Sequence, residues 1–174
     1  DYATLSVLQY ILCTGSGFTD RLSTKVRDKE GLAYSVGGGI TGDSDEIAGP
    51  FIIYVGTEAS SKEKALAMTL AEIRTFIDEG PTEMEVENAR QFLARSFSFD
   101  WESCEGLGSY LIELRRYNLP PDHARRFVEA VRSVTREDVL KAARKHLDAK
   151  NYSLVIVGPV DKEGNVIHSE GEEK

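Results

Sequence analysis

At 174 residues, with 41% hydrophobic and 29% charged residues, the chain has the composition of a globular protein built around one core. Its formal net charge of -8 excludes a phosphate backbone as partner, because that contact needs a basic face, and no apolar run approaches the length of a membrane span. Neither nucleic acid nor membrane is therefore expected as a partner, and the chain reads as soluble. Only Cys13 and Cys104 are present, far apart and in no C-x-x-C arrangement, so both read as buried small hydrophobes and not as a disulfide or metal site.

The first residue is Asp1 and not Met, with no signal-peptide pattern before it, which reads as a piece of a longer protein whose compartment stays unknown. Leu5, Leu8 and Leu12 recur at helical spacing, and Gly15 and Gly17 end that helix. Phe18, Leu22 and Val26 mark a second short helix that stops at Gly31. The period then changes to two. Leu32, Tyr34 and Val36 alternate with small residues into GGG at 37–39, which predicts a strand over 32–37. A polar loop leads to FIIYVG, a second strand over 50–56 that is too close in sequence for a crossover and must pair antiparallel with the first.

Ser60 and Glu63 read as a capping box before a long helix with Leu66, Leu70, Ile73 and Ile77 on its apolar stripe, ending at Gly80. Thr82 and Glu85 repeat the signal ahead of a helix carried by Val86, Ala89, Leu93 and Phe97. Leu107, Leu111 and Leu114 define another, broken by Pro120 and Pro121. Two more helices follow, the second opened by Thr135 with Glu137 and Asp138 in its first turn. A third strand is predicted over 152–157, and the tail after Pro159 is polar, with a turn at DKEGN and a loose EGEEK end. Strands separated by a block of helices imply an α+β layer, a mostly antiparallel sheet with helices on one face, in one domain over 1–159 followed by a tail over 160–174.

Chemistry is sparse. His123, His146 and His168 are scattered and do not converge as ligands, there is no G-x-S-x-G elbow, and GSG at 15–17 lacks the downstream G-K-[ST] of a phosphate loop. What remains is RDKEGLAYSV at 27–36. Arg27 lies about 6 Å of helix before Gly31, and Tyr34 about 10 Å of strand beyond it. If the chain reverses at Gly31, a guanidinium and a phenol converge as donors for the carbonyls of a bound chain. Alternatively, Arg27 offsets the helix C-terminus or pairs with Asp28 or Glu30, and Tyr34 packs in the core.

Taken together, GSGFTDRLSTKVRDKEGLAYSV resembles the signature that opens the substrate-side half of pitrilysin-family zinc peptidases, the inverzincins that include mitochondrial processing peptidase and insulin-degrading enzyme. The resemblance continues through FIIYVGT, EGPTEMEVENAR, SVTREDVLKAARKHL and NYSLVIVGP, and so covers nearly all of 1–159. It implies an α+β half that lacks H-x-x-E-H and closes a chamber over the substrate, with family strands missing before the first helix. By motif, Arg27 and Tyr34 are the residues that bind the substrate backbone, and neither a catalytic residue nor a metal ligand is implied in this chain. Zinc is implied in the partner half. The implied partners are a peptide substrate and a zinc-bearing N-terminal half or partner subunit, with a homodimer as a further alternative. Alone the chain is expected to be inactive. The resemblance also admits a non-proteolytic structural homologue, a core-protein-like subunit of a larger complex.

Overall fold

A computed structural model describes residues 1–40, 49–97, 102–161 and 165–167. Helix α1, Tyr2–Gln9, continues as a π-wound turn over Tyr10–Thr14. Of the expected stripe, Leu8 and Leu12 are fully enclosed and Leu5 is half-buried, while Val7, Ile11 and Cys13 are buried beside them. Burying a side chain of this size stabilises the fold by about 1.5–3 kcal/mol, so this one helix supplies much of the core. A second π-wound segment, Ser23–Lys29, buries Leu22 and Val26 in the same cluster. Asp20 starts it, its Oδ1 accepting from the Ser23 N–H at 2.8 Å.

Strands β1, Ala33–Ile40, and β2, Phe51–Thr57, form an antiparallel pair in which Val36 faces Val55 and Ile40 faces Phe51. The glycine run 37–39 belongs to β1, which therefore extends beyond the expected end at 37. Val36, Phe51, Ile53 and Val55 pack on the core, while Tyr34, Ile52 and Tyr54 are exposed. The helices lie against the first of these two faces, through α1, the two π-wound segments and the long helix Lys62–Glu79. This is the α+β arrangement with helices on one side of an antiparallel sheet.

The remaining helices are α2, Lys62–Glu79, α3, Glu83–Ser96, α4, Cys104–Arg116, α5, His123–Ser133, and α6, Arg136–His146. The N-termini of α3 and α6 use capping boxes, Thr82 with Glu85 and Thr135 with Asp138. The chain reversal after α2 at Gly80 takes φ 74°, and three arginines from elsewhere satisfy the orphan carbonyls around it. Arg21 donates to the Gly80 carbonyl, Arg136 to Glu79 and Pro81, and Arg144 to Ile77 and Asp78, at 2.6–3.1 Å.

Several sequence expectations require correction. The segment 152–157 joins no ladder among the described residues, and Val155 and Val157 are 82% and 93% exposed. A β-branched run becomes a strand only where a neighbour takes its N–H and C=O groups. Ser60 makes no capping box with Glu63, because Ala59–Ser61 is a 3-10 turn and the N-cap is Ser61, without a side-chain bond. The buried stripe of α2 is Ala65, Thr69, Glu72, Ile73 and Phe76, rotated from the expected one by the burial of Glu72. Helix α4 exists but buries none of its residues, leaving Leu107 and Leu111 exposed, and Cys104 at its start is exposed too. Beyond Pro159 an isolated antiparallel bridge joins Val160 and Val166. His168 and the EGEEK end lie outside the described residues.

Candidate functional site

The Gly31 reversal turns the helical segment directly into β1. Gly31 has φ 62°, a conformation that an L side chain rarely adopts. Its N–H bonds to the Arg27 carbonyl at 2.9 Å, and Leu32 N–H reaches the Val26 carbonyl at 3.1 Å, a loop widened by the π-winding before it. The Thr57 hydroxyl donates to the Leu32 carbonyl, tying the end of β2 to the same reversal. The Ser23–Lys29 segment, which carries Arg27, packs against β1, which carries Tyr34.

Tyr34 is not a core residue. It is 69% exposed, and its hydroxyl lies 3.5 Å from the Thr57 carbonyl, at the limit of a hydrogen bond. It is also the extra residue of a β-bulge: Ala33 pairs with Thr57 and Ser35 with Gly56, so Tyr34 has no partner in the register. Bulges re-aim a side chain, and this one sets the phenol on the face turned away from the helices. Arg27 is half-buried. Of the acidic residues considered as its partners, Glu30 is engaged by Lys64 at 3.1 Å.

The segment bearing Arg27 is anchored by an ionic cluster that no sequence motif announces. Arg21 donates from Nε to Glu85 Oε1 at 2.6 Å and from Nη2 to Oε2 at 2.8 Å, and stands 3.5 Å from Glu72, which is 2% exposed. Lys25 pairs with the other oxygen of Glu72, and the Arg21 guanidinium lies over the Phe76 ring at 5.1 Å. The hydrogen bonds to Glu85 raise the pKa of Arg21. Burial pushes the Glu85 carboxyl up, but Arg21 and the donors of Thr82 more than offset this and hold it below its ordinary value. A charge enclosed without such partners would be strongly destabilising, so the cluster locks the π-wound segment onto α2 and α3.

No three His, Cys, Asp or Glu side chains among the described residues converge as a metal site. His123 is stacked near Phe127, with Nδ1 3.4 Å from the Tyr110 hydroxyl, and His146 lies 3.8 Å from Asp1 at the end of α6. These residues do not fit zinc. A shallow recess lined by Tyr10, Asn88, Gln91, Phe92, Arg95 and Ser96 contains neither Arg27 nor Tyr34.

The chain is a helix-backed α+β domain with an arginine and a tyrosine on either side of a glycine reversal. The profile of the Peptidase M16 inactive domain matches residues 1–93, more than half of the chain, and the chain belongs to that family. A Peptidase M16 inactive domain of known structure from Pseudomonas fluorescens is 34% identical, with a TM-score of 0.77 over 86% of this chain and 34% of that one. The inactive peptidase domain of a putative zinc protease from Bordetella parapertussis shares the fold, with a TM-score of 0.69 at 20% identity over 86% and 79% of the two chains. Among curated proteins, a non-peptidase homolog, YmxG, of Helicobacter pylori is 25% identical over 94% of this chain and 37% of its own length. An uncharacterized zinc protease of Streptomyces coelicolor is 29% identical over 88% and 33%. The chain spans about a third of the length of the curated relatives it matches. No described helix is long and apolar enough to cross a membrane.

Proposed function

We propose that this chain is the substrate-binding, catalytically inactive half of an M16 zinc peptidase, in which Arg27 and Tyr34 hold the backbone of a peptide for cleavage by a zinc-bearing companion half or partner subunit. The observation that carries the reading is the 69% exposure of Tyr34 at a bulge immediately after the Gly31 reversal. The bulge keeps the phenol in solvent, where its O–H can donate to a substrate carbonyl. Arg27 adds a guanidinium, a planar fork of hydrogen-bond donors. The chain's own residues orient and bind, and the bond-breaking chemistry belongs to the companion.

A non-proteolytic role, as a structural subunit, is the second reading, favoured by the non-peptidase homolog among its relatives. Arg27→Ala and Tyr34→Phe in the intact protein separate the two. Binding predicts lower kcat/KM with an unchanged melting temperature. Unaltered activity together with a lowered melting temperature would refute the binding role.

A further inference from the structure

Nothing in the backbone of Gly56 calls for glycine. It is not among the glycines of positive φ, and a glycine inside a strand gives up side-chain packing and weakens the strand. Residues 52, 54 and 56 share the face of β2 turned away from the helices, where Ile52 and Tyr54 are exposed, yet Gly56 is buried. The side chains over it come from the same strand pair. A Cβ at position 56 would stand 2.4 Å from the Ser35 hydroxyl, 3.0 Å from Tyr34 Cε2 and 3.2 Å from the Tyr54 hydroxyl. Cε2 is bonded to the ring carbon that carries the hydroxyl, so the donor end of the Tyr34 side chain is what lies against Gly56. That hydroxyl reaches the carbonyl of the next residue, Thr57, at 3.5 Å.

We propose that Gly56 is a positioning residue for Tyr34: by lacking a side chain it lets the phenol cross from the β1 bulge onto β2, and so fixes where the hydroxyl is offered to a peptide carbonyl. The inference rests on the reading of Tyr34 as a substrate-binding residue and names what aims it. A bulge alone leaves the side chain free to turn, and ordering it on binding would weaken affinity. Resting the ring on Gly56 orders it before a peptide arrives. The internal contact competes little with the substrate, because 3.5 Å to the Thr57 carbonyl is at the limit of a hydrogen bond. A side chain at 56 would push the two phenols outward, since both border solvent while the ladder beneath them is backbone. The effect of such a change therefore falls on the aim of Tyr34 more than on the strand.

The test uses the intact protein, with a chelator present so that nothing is cut, and fluorescein-labelled casein as an unfolded probe read by fluorescence anisotropy. All variants carry Ser35→Ala, which removes the closest clash and leaves the two tyrosines as what a methyl at 56 would meet. In that background Gly56→Ala should weaken casein binding about three- to tenfold, the range of one hydrogen bond. Its melting temperature should hold or rise, because alanine suits a strand better than glycine. Tyr34→Ala should weaken binding at least as much. Adding Gly56→Ala to Tyr34→Ala should then change it by less than about twofold, a non-additivity that general damage to the strand would not produce. If Tyr34→Ala weakens binding but Gly56→Ala does not, or does so equally without the Tyr34 ring, the positioning role is wrong and the substrate-binding reading stands. A fall in melting temperature on Gly56→Ala that Tyr34→Ala does not relieve would overturn the positioning role as well. If Tyr34→Ala leaves binding unchanged, both fall.

Discussion

Arg21 and Glu85, 64 residues apart in the chain, meet as a two-pronged pair, Nε to Oε1 at 2.6 Å and Nη2 to Oε2 at 2.8 Å. The same Glu85 carboxylate also accepts from the Thr82 N–H and hydroxyl, so one side chain closes the cap of α3 and fastens the segment that presents Arg27. Replacing Arg21 by Ala leaves Glu72 enclosed with Lys25 alone. The loss should be about 3 kcal/mol, or roughly 6–12 °C in melting temperature for a chain of this size. Arg21→Lys, which keeps the charge but not the fork, should recover only part of it. A calorimetric melting point of Arg21→Ala within about 2 °C of the parent would show that the cluster is not holding the fold.

The depressed pKa of Glu85 makes a pH prediction whose sign follows from linkage. Its folded value lies below 4.5, its ordinary one, so the folded state binds fewer protons than the unfolded state between the two. The stability Glu85 contributes is present above its ordinary value and is lost as the pH falls through the folded one. Glu85→Gln should therefore lower stability near neutrality and flatten the acid side of a plot of melting temperature against pH. An acid limb as steep as the parent's would mean that other carboxylates carry it.

The two cysteines should be chemically distinct. Cys13 is enclosed beneath α1, and burial, with a smaller contribution from Asp20, pushes its thiol up to about 12, whereas Cys104 is exposed. A thiol-reactive dye at pH 8 should label one cysteine quickly in the folded chain and both in denaturant, with Cys104→Ser abolishing the fast reaction. Fast labelling of the Cys104→Ser variant would contradict the burial of Cys13.

Two glycine-to-alanine substitutions should have opposite signs. Gly80 sits at φ 74° with Leu140 atoms 3.2–3.5 Å from where a Cβ would be, so Gly80→Ala adds strain and a clash and should cost about 1–2 kcal/mol. Gly108 lies inside α4 with nothing near a Cβ, and Gly108→Ala should stabilise by about 0.5–1 kcal/mol through helix propensity. Denaturant midpoints of the two variants, moving apart from the parent in the same urea series, provide the check.

In the intact protein, Arg27→Ala should lower kcat/KM by about ten- to a hundredfold, because hydrogen bonds from a charged donor are worth roughly 1.5–3 kcal/mol. Tyr34→Phe, which deletes only the hydroxyl of an exposed ring, should cost less. Both variants should melt within about 1 °C of the parent. A reversed order of the two effects would argue that the ring of Tyr34, and not its hydroxyl, makes the contact.

What the sequence determined by itself was local. Thr82 and Thr135 open helices with their own acidic partners three residues on, Gly31 and Gly80 end elements where φ must be positive, and the alternation around Val36 and Val55 sets a strand pair. Each of these depends on interactions within a few residues, which is why spacing alone reveals them. Arg27 and Tyr34 were marked by the family resemblance of the motif about Gly31, and their spacing alone left a structural role open. Only the tertiary structure decided the rest. Glu72 is buried because Arg21 and Lys25 arrive from another segment to neutralise it, so the stripe on α2 turns toward a charge that periodicity assigns to solvent. Residues 152–157 carry every local mark of a strand yet pair with nothing described, since a strand is completed by its neighbour and not by its own side chains. Gly56 carries no mark of its own in the sequence of β2. Three side chains converging from both strands make it a requirement, and no pattern along one strand records the crowding across two.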